Sequence, residues 1–533
     1  MSNSQLTSLV CNNFGGIRRK SSSFSDECIT CSDCQNVELY YTNLNSGVGV
    51  RTAKGNIAMH TFSHTEEVDG EDVTVVEKVV GMFSSNQGGT NNVIFVYTED
   101  STQGYLYKCD IYNSTYDKLT FTGGFTLPVS NMACGADFEQ GYYNYFVFSN
   151  GKKFVYCRTN LNNNNEFEVI TTQPEDVDNN EFSGLGLKVF DSRLWVFDGH
   201  KLYYSFTGKC DDFKTQSVEQ QSSSAGIIEL PKPITAIEPY LGSLAVFHKD
   251  SSCLVTPDNT TVYSRGDESP GGCAGYDALV FHGTDLYFYD DTKKGVFAFS
   301  QIVNGDKVLS KNIAEDIQEE LLGIGALDTN NIHAVSVVTE DRNEVWFITP
   351  INAGASKSLT FIFDYTRGEW IKRLSNQISC ILVYNSDLYS GGSKLYKEYQ
   401  TYTFDGETIE SFYKCSIFNY GTDNTLKITK FPPRLTVDIG DGCDFWIEYV
   451  RNYDIFKTPK RKRVKGKVKG NYLKYDNDMH YDSGLVYLSA INSITKLPSV
   501  TFKALEMNFK AETEGQGFSI KNIEFSKLKV KQV

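Results

Sequence analysis

The stretch NYFVFSNGKKFVYCRT (residues 144–159) decides the fold, because it joins two short aromatic runs through a turn that contains Asn-Gly. Aromatic and β-branched residues favour strands, and an Asn-Gly pair between two such runs is a strong β-hairpin signal. The same arrangement returns as RLWVFDGHKLYYSFT (193–207) and SLAVFHKDSSCLVTP (243–257). The middle of the chain is therefore predicted to consist of repeated antiparallel hairpins.

The repeat has a regular spacing of 42 to 52 residues. Repeats of 40 to 50 residues with several strands each are typical of a β-propeller, in which small sheets bury their faces against one another. The sequence predicts an all-β chain with a propeller of about six or seven blades over residues 61–400. The aromatic strands that define the spacing begin at Tyr105, Phe154, Leu202, Leu254, Val296, Val345 and Leu395.

The pattern of apolar and polar residues changes on both sides of this repeat. Residues 1–60 are predicted to form an N-terminal arm, and the long alternating strands of residues 401–533 a separate antiparallel β-sandwich that packs with the arm as a platform. The inward-facing residues come in the pairs Phe518/Ile520, Ile523/Phe525 and Leu528/Val530, and the shift in parity from pair to pair predicts a bulge or a turn between them.

One segment, KNIAEDIQEELLG (311–323), has helical spacing of its apolar residues. Asn312 and Glu315 stand in capping-box relation, and Gly323 follows as a stop signal. The sequence thus predicts one short helix in an otherwise all-β protein.

Composition excludes several classes of protein. The net charge of −15 and the isoelectric point of about 5.1 argue against a generic nucleic-acid binder. The first residues lack the apolar core of a signal peptide. The sequence also contains no window of 18 apolar residues, so we predict no membrane insertion by this chain. Thirteen cysteines, an odd number scattered along the chain, indicate reduced thiols in a protein made in a cytoplasm.

Cys28, Cys31 and Cys34 form a C-x-x-C-x-x-C run. Structural zinc and a [4Fe–4S] cluster both need a fourth ligand, and the nearest histidines, His60 and His64, lie far downstream. We therefore disfavour a metal site at these cysteines and predict that the chain needs no cofactor.

A basic run, KTPKRKRVKGKVKG (457–470), stands out in this acidic chain. It is consistent with contact to DNA phosphate or to an acidic partner. It is equally consistent with a solvated hairpin whose lysines prevent edge pairing. The residues concerned are Lys460, Arg461, Lys462, Arg463, Lys465, Lys467 and Lys469.

Catalytic signatures are absent from the sequence: it contains no G-x-S-x-G, H-E-x-x-H, P-loop or G-x-G-x-x-G. We predict a protein that is not an enzyme. A propeller glycosidase, with two carboxylates meeting across the propeller, is the enzymatic alternative, but the sequence does not identify such a pair.

Three phrases near the start resemble the opening of tail proteins of short-tailed bacteriophages: NNFGGIRRK (12–20), QNVELYY (35–41) and GVGVRTAKG (47–55). A later Asp-Tyr-turn-Gly-x-Trp unit is similar to another phrase of that family. On this resemblance the three cysteines are incidental. The matching residues are Gly15, Gly16, Asn36, Val37, Arg51, Gly55, Asp364, Tyr365, Gly368 and Trp370.

The resemblance implies a structural component of the tail hub or nozzle, a tubular-tail or stabilisation-type protein that forms a hexameric ring below the portal and adaptor. Such a ring surrounds the DNA exit channel, where an acidic lumen repels phosphate and lets DNA slide without sequence-specific binding. The protein would belong to the virion tail and be made in the cytoplasm of the host bacterium. The alternative function is a glycan- or receptor-binding propeller of a virion, for which the chain has many Tyr but only 4 Trp.

Overall fold

The computed structural model describes most of the chain. The described residues are 6–18, 29–42, 47–68, 71–85, 93–121, 125–160, 166–170, 184–214, 224–258, 262–299, 312–323, 332–349, 357–417, 425–429, 431–440, 442–451, 459–464, 493–497 and 501–532.

The chain forms two compact units. Unit 1 comprises Met1–Ile57, Ile362–Leu374 and Glu398–Val533, and unit 2 comprises Ala58–Phe361 and Ser375–Lys397. The predicted division into an N-terminal arm (1–60), a propeller (61–400) and a C-terminal β domain (401–533) stays a prediction.

The prediction of an all-β chain is confirmed, since strands dominate the described residues. The first six strands are β1 (Leu6–Cys11), β2 (Phe14–Ile17), β3 (Ile29–Gln35), β4 (Val37–Tyr41), β5 (Val48–Thr52) and β6 (Asn56–His60).

The strands of the central region follow as β7 (Ser63–Val68), β8 (Glu71–Val76), β9 (Lys78–Ser85), β10 (Val93–Glu99), β11 (Gln103–Asp110), β12 (Thr115–Lys118), β13 (Leu127–Pro128), β14 (Cys134–Gln140), β15 (Tyr143–Ser149), β16 (Phe154–Asn160), β17 (Glu166–Ile170), β18 (Gly186–Phe190), β19 (Arg193–Asp198), β20 (Lys201–Tyr204), β21 (Gly226–Glu229), β22 (Ala236–Tyr240), β23 (Ser243–Phe247), β24 (Ser251–Asp258), β25 (Val262–Arg265), β26 (Ser269–Pro270), β27 (Leu279–His282), β28 (Asp285–Asp290), β29 (Gly295–Ala298), β30 (His333–Val338), β31 (Asn343–Ile348), β32 (Lys357–Asp364), β33 (Glu369–Asn376), β34 (Ile378–Tyr384), β35 (Asp387–Gly392) and β36 (Leu395–Glu398).

The last strands are β37 (Thr403–Phe404), β38 (Glu407–Cys415), β39 (Thr425–Thr429), β40 (Arg434–Ile439), β41 (Cys443–Arg451), β42 (Lys460–Val464), β43 (Ser493–Lys496), β44 (Thr501–Phe502), β45 (Leu505–Thr513) and β46 (Phe518–Gln532).

The predicted helix is present but shorter than the sequence pattern: a 3-10 turn at Glu315–Ile317 leads into α1 (Gln318–Leu322). The predicted capping box is wrong, because the side-chain oxygen of Asn312 accepts hydrogen bonds from the backbone N–H groups of Val296 and Ala314 instead. Asn312 therefore ties the segment to a strand rather than capping it. A second 3-10 turn spans Tyr276–Ala278. None of the helices in the described residues is long and apolar enough to cross a membrane.

The strands from β9 to β29 form small antiparallel sheets that follow one another along the chain, whereas β30–β36 belong to one 15-stranded sheet. The second, for example, has the strand order β14-β15-β16-β17, and the third β18-β19-β20-β21. In the described part of the unit, seven strands contact each other in chain order, and the last of them contacts the first. These strands are β9, β14, β18, β22, β27, β30 and β34.

Apolar side chains fill the spaces between neighbouring sheets of unit 2. Phe95 on β10 stacks on Phe146 on β15, with ring centroids 4.1 Å apart and planes at 4°. The final sheet packs against the first in the same way, because Cys380 and Tyr389 belong to one buried cluster with Met82. At these two places, neighbouring sheets of unit 2 bury apolar side chains against each other.

Unit 1 contains two groups of paired strands. One runs β4-β5-β46-β39-β44, with β1 and β40 also paired to β46, and the other includes β3-β38-β45-β41-β42. Phe445 on β41 packs on Phe518 on β46, with ring centroids 4.9 Å apart. The predicted bulge is confirmed, because the register between β40 and β46 shifts between Ile520 and Asn522 while Phe518, Ile520 and Ile523 all stay buried.

Candidate functional site

The cysteine run lies partly within the described residues. Cys28 lies outside them, whereas Cys31 and Cys34 lie on β3 with fully buried side chains. Burial, reinforced by the neighbouring thiol of Cys34, raises the pKa of the Cys31 thiol well above its usual value. Since the thiolate is the form that binds metal, this environment favours a packing role for Cys31. The absence of a metal from the run stays a prediction.

The basic run begins with strand β42, which pairs with β41. Arg461 forms an ion pair with Glu448 at 2.5 Å, and Arg463 forms one with Asp444 at 2.5 Å. Glu448 also contacts Lys510 of β45 at 2.8 Å. These cross-strand pairs neutralise part of the positive charge, which favours the solvated-hairpin interpretation for this strand.

The remaining predicted residues divide into two sets. Lys460 and Lys462 lie on β42, and the ammonium of Lys462 donates to the carbonyl of Lys496. Lys465, Lys467 and Lys469 lie outside the described residues. A contact with phosphate or an acidic partner therefore stays a prediction.

The residues of the bacteriophage-like phrases gather in unit 1. Ile17, of the Phe-Gly-Gly-Ile phrase, pairs with Trp370 of the later Gly-x-Trp phrase. The N–H of Gly16 donates to the Glu369 carboxylate at 2.9 Å. A Cβ on Gly16 would lie 2.6 Å from the carbonyl oxygen of Trp370, so this position has no room for a side chain. The two phrases thus meet backbone to backbone.

Asn36 joins the same region through four hydrogen bonds, and its backbone has φ of 52°, a conformation that Asn tolerates. Its N–H donates to the Lys372 carbonyl at 2.9 Å, and its side-chain oxygen accepts from the N–H of Leu374 at 2.8 Å. Its side-chain amide donates to the Glu410 carbonyl at 2.9 Å, and its own carbonyl accepts from the N–H of Ala53 at 3.0 Å. Asn36 therefore links three stretches of unit 1.

A buried ion pair lies beside these phrases. Arg373 and Glu398 are 2.6 Å apart, and their side chains are only 2 % and 0 % exposed. Arg373 also donates to the Lys54 carbonyl at 2.8 Å, and the side chain of Asn56 donates to Glu398 at 2.9 Å. Gly55, between these two partners, has no space for a Cβ, which would lie 1.9 Å from the Thr403 carbonyl oxygen. We call the contacts among Gly16, Asn36, Gly55, Glu369, Trp370, Arg373 and Glu398 the phrase node.

A second cluster lies in unit 2, where the imidazole of His64 is surrounded by carboxylates. Its Nδ1 is 3.0 Å from Glu77, and its Nε2 is 3.1 Å from Glu66 and 3.4 Å from Asp100. The hydroxyl of Tyr105 lies 3.1 Å from Nε2 and donates to Asp100 at 2.7 Å. Burial lowers the pKa of His64, but the hydrogen bonds to Glu66 and Glu77 outweigh it, so the net shift is upward.

The sequence analysis missed this cluster. His64 and Glu66 are two residues apart on β7, so their side chains point to the same face, but a His-x-Glu pair is common and carries little information alone. Asp100 follows β10 in a different sheet, and no spacing rule connects it to His64. Only the packing of one sheet against the other brings the three residues together.

The comparisons with known proteins identify no family: no protein-family model matches the chain. No curated protein matches it either. Among solved structures, the chain is similar to a functionally unknown protein from Desulfotomaculum acetoxidans DSM 771. The match has 9 % identity, covers 52 % of this chain and 85 % of that chain, and has a TM-score of 0.30, too low to support an inference about fold or function.

Proposed function

We propose that this protein is a non-enzymatic structural component of the tail of a short-tailed bacteriophage. In this proposal it is a hub or nozzle subunit that assembles as a hexameric ring around the DNA exit channel, beneath the portal and adaptor. Unit 2 is a β-propeller with seven blades, and unit 1 is the platform of the ring.

The observation that carries the proposal is the phrase node. Residues of the early phrases and residues near position 370 are more than 300 positions apart, yet Gly16 contacts Glu369 and Asn36 contacts Leu374. Their roles are close backbone approach, an unusual backbone angle and buried hydrogen bonds. These are structural roles, so they support phrases that mark a shared architecture, as the resemblance implies, and not a catalytic site.

The cyclic order of contacts in unit 2 supports the propeller. Strands β9 and β34 are the first and last of the seven strands in this order, and they neighbour each other in space. Met59 and Phe62, from the start of the unit, pack into the cluster between these two sheets. In a propeller, this kind of contact between chain start and final blade holds the circle closed.

The acidity of the chain supports a passage for DNA. A net charge of −15 on each subunit would be multiplied around a closed ring. A lumen of negative potential repels phosphate, so that DNA moves through without binding.

Native mass spectrometry of the purified full-length chain, followed by negative-stain imaging, tests the proposal. We expect a species of six subunits with a central hole. A protein that stays monomeric both alone and when mixed with a short-tailed phage portal and adaptor complex would refute the hub or nozzle function.

The second candidate function, glycan or receptor binding by the propeller, is favoured by exposed aromatic side chains at hairpin turns of unit 2. Tyr112 is 83 % exposed and Tyr142 is 70 % exposed. Aromatic rings at such positions could stack on sugars. A glycan array with the wild type and with Tyr112→Ala and Tyr142→Ala tests this function, which predicts a defined glycan signal that one of the variants loses.

A further inference from the structure

His64, Glu66 and Asp100 present one nitrogen and two oxygen atoms to a common point, all three within 4.8 Å of one another. The Nε2 atom of His64 lies 3.1 Å from the carboxylate of Glu66 and 3.4 Å from that of Asp100. A tetrahedral Zn²⁺ ion with bonds of about 2.0–2.1 Å keeps its nitrogen and oxygen ligands about 3.3 Å apart. The spacing therefore fits two edges of such a coordination shell.

The imidazole is held in the orientation that this shell needs. Its Nδ1 lies 3.0 Å from Glu77, whose side chain is 0 % exposed. Glu77 is itself fixed by the hydroxyl of Tyr107 at 2.9 Å and by a hydrogen bond from Thr98. Histidines that ligate metal commonly donate their other ring N–H to a carboxylate in this way, which directs the free nitrogen to the ion.

Asp100 is also prepared as an anionic ligand. Its Oδ1 accepts hydrogen bonds from the backbone of Thr102 and Gln103, while its Oδ2 faces His64 and Tyr105. The side chain of Asp100 is only 2 % exposed, so these hydrogen bonds fix its orientation.

The charge around the cluster favours a cation. Three carboxylates, those of Glu66, Glu77 and Asp100, surround one imidazole. One cation of the chain lies close by: the ammonium of Lys118 is 3.6 Å from the ring centroid of Tyr105. Glu66 is 39 % exposed, so the cluster is open to solvent on one side and an ion can enter there.

We propose that His64, Glu66 and Asp100 form a binding site for a divalent transition-metal ion, with Glu77 as the positioning residue for the imidazole. An imidazole ligand with two carboxylates suits Zn²⁺ and similar ions better than Mg²⁺ or Ca²⁺. The ion would join the β7–β8 hairpin, which carries His64 and Glu66, to the end of β10, which leads into Asp100. This site is independent of the proposed tail function.

Isothermal titration of the full-length protein with Zn²⁺ after chelator treatment tests the proposal, with Co²⁺ as a spectroscopic probe of coordination. We expect each chain to bind one Zn²⁺ ion with high affinity, and the Co²⁺ form to show visible absorption bands typical of low-coordinate Co²⁺. Glu66→Gln, at a partly exposed position where folding should be preserved, is expected to weaken Zn²⁺ binding at least tenfold, and Asp100→Asn similarly.

His60→Gln is the matched control, because His60 is a nearby histidine that stacks on Tyr116, with ring centroids 3.9 Å apart, and takes no part in the cluster. It should leave both signals unchanged. Circular dichroism in chelator confirms that each variant is folded. Absence of a strong equivalent in the wild type, or unchanged Zn²⁺ affinity in folded Glu66→Gln and Asp100→Asn, would overturn the proposal.

Discussion

Replacing Arg373 with methionine is expected to destabilise unit 1 strongly, because it removes one partner of a buried ion pair. The guanidinium lies 2.6 Å from Glu398, and the two side chains are 2 % and 0 % exposed. Methionine has a similar length and no charge, so the substitution leaves the Glu398 carboxylate buried without its cation. The Lys54 carbonyl also loses its 2.8 Å hydrogen bond from the guanidinium.

The expected loss in the free energy of unfolding is about 3–5 kcal/mol, the range measured when one member of a buried ion pair is removed. The exposed ion pair between Arg434 and Glu524 provides the matched control in the same unit. Its atoms are 3.9 Å apart, and its side chains are 50 % and 33 % exposed. Arg434→Met should therefore cost about 0–1 kcal/mol.

Urea unfolding followed by tryptophan fluorescence measures these changes, because Trp370 lies on the same strand as Arg373. The double variant Arg373→Met/Glu398→Gln keeps an oxygen that accepts from Asn56 but removes the unpaired charge. We expect it to be more stable than Arg373→Met alone, with a coupling energy of about 0.5–3 kcal/mol. A cost for Arg373→Met no larger than that for Arg434→Met would refute the reasoning, as would strict additivity in the double variant.

Three further predictions concern the phrase node and the two units. Gly16→Ala places a Cβ 2.6 Å from the Trp370 carbonyl oxygen and should lower the free energy of unfolding by about 1–3 kcal/mol in urea titrations. Gly406→Ala is the control: its Cβ meets no atom within 4 Å, so this variant should cost only the strain of a backbone φ of +89°. Burial raises the pKa of Glu369, so the ionised carboxylate destabilises the folded state. The urea midpoint of the wild type, measured relative to that of Glu369→Gln, should therefore fall as the pH rises from about 4 through that raised pKa. A difference in midpoint that does not change with pH would contradict this prediction. Limited proteolysis should leave the N-terminal arm associated with a C-terminal fragment, since strands β1 and β46 are paired, and release of a free arm under native conditions would contradict that expectation.

Turn chemistry and side-chain alternation made the strands of unit 2 predictable. In NYFVFSNGKKFVYCRT, Gly151 adopts φ of +76° in the turn between β15 and β16, the conformation that glycine allows at little cost. The same local signals predicted the parity shift in β46. They also predicted where the helix lies but not its cap. The side-chain oxygen of Asn312 accepts a hydrogen bond from the N–H of Val296 on β29, a contact that no local rule identifies.

The sequence by itself determined the strands, their turns, the spacing of the repeat and the acidic charge, since each depends on residues within a few positions of one another or on composition alone. Only the tertiary structure decided that Gly16 meets Trp370, that Arg373 is neutralised by Glu398, and that Asp100 comes to His64. Those contacts depend on which strands pair, in which register, and on how the sheets close on one another. Pairing is set by the burial of whole faces, so the residues that carry the phrase node and the proposed metal site are brought together by packing that no local pattern in the sequence records.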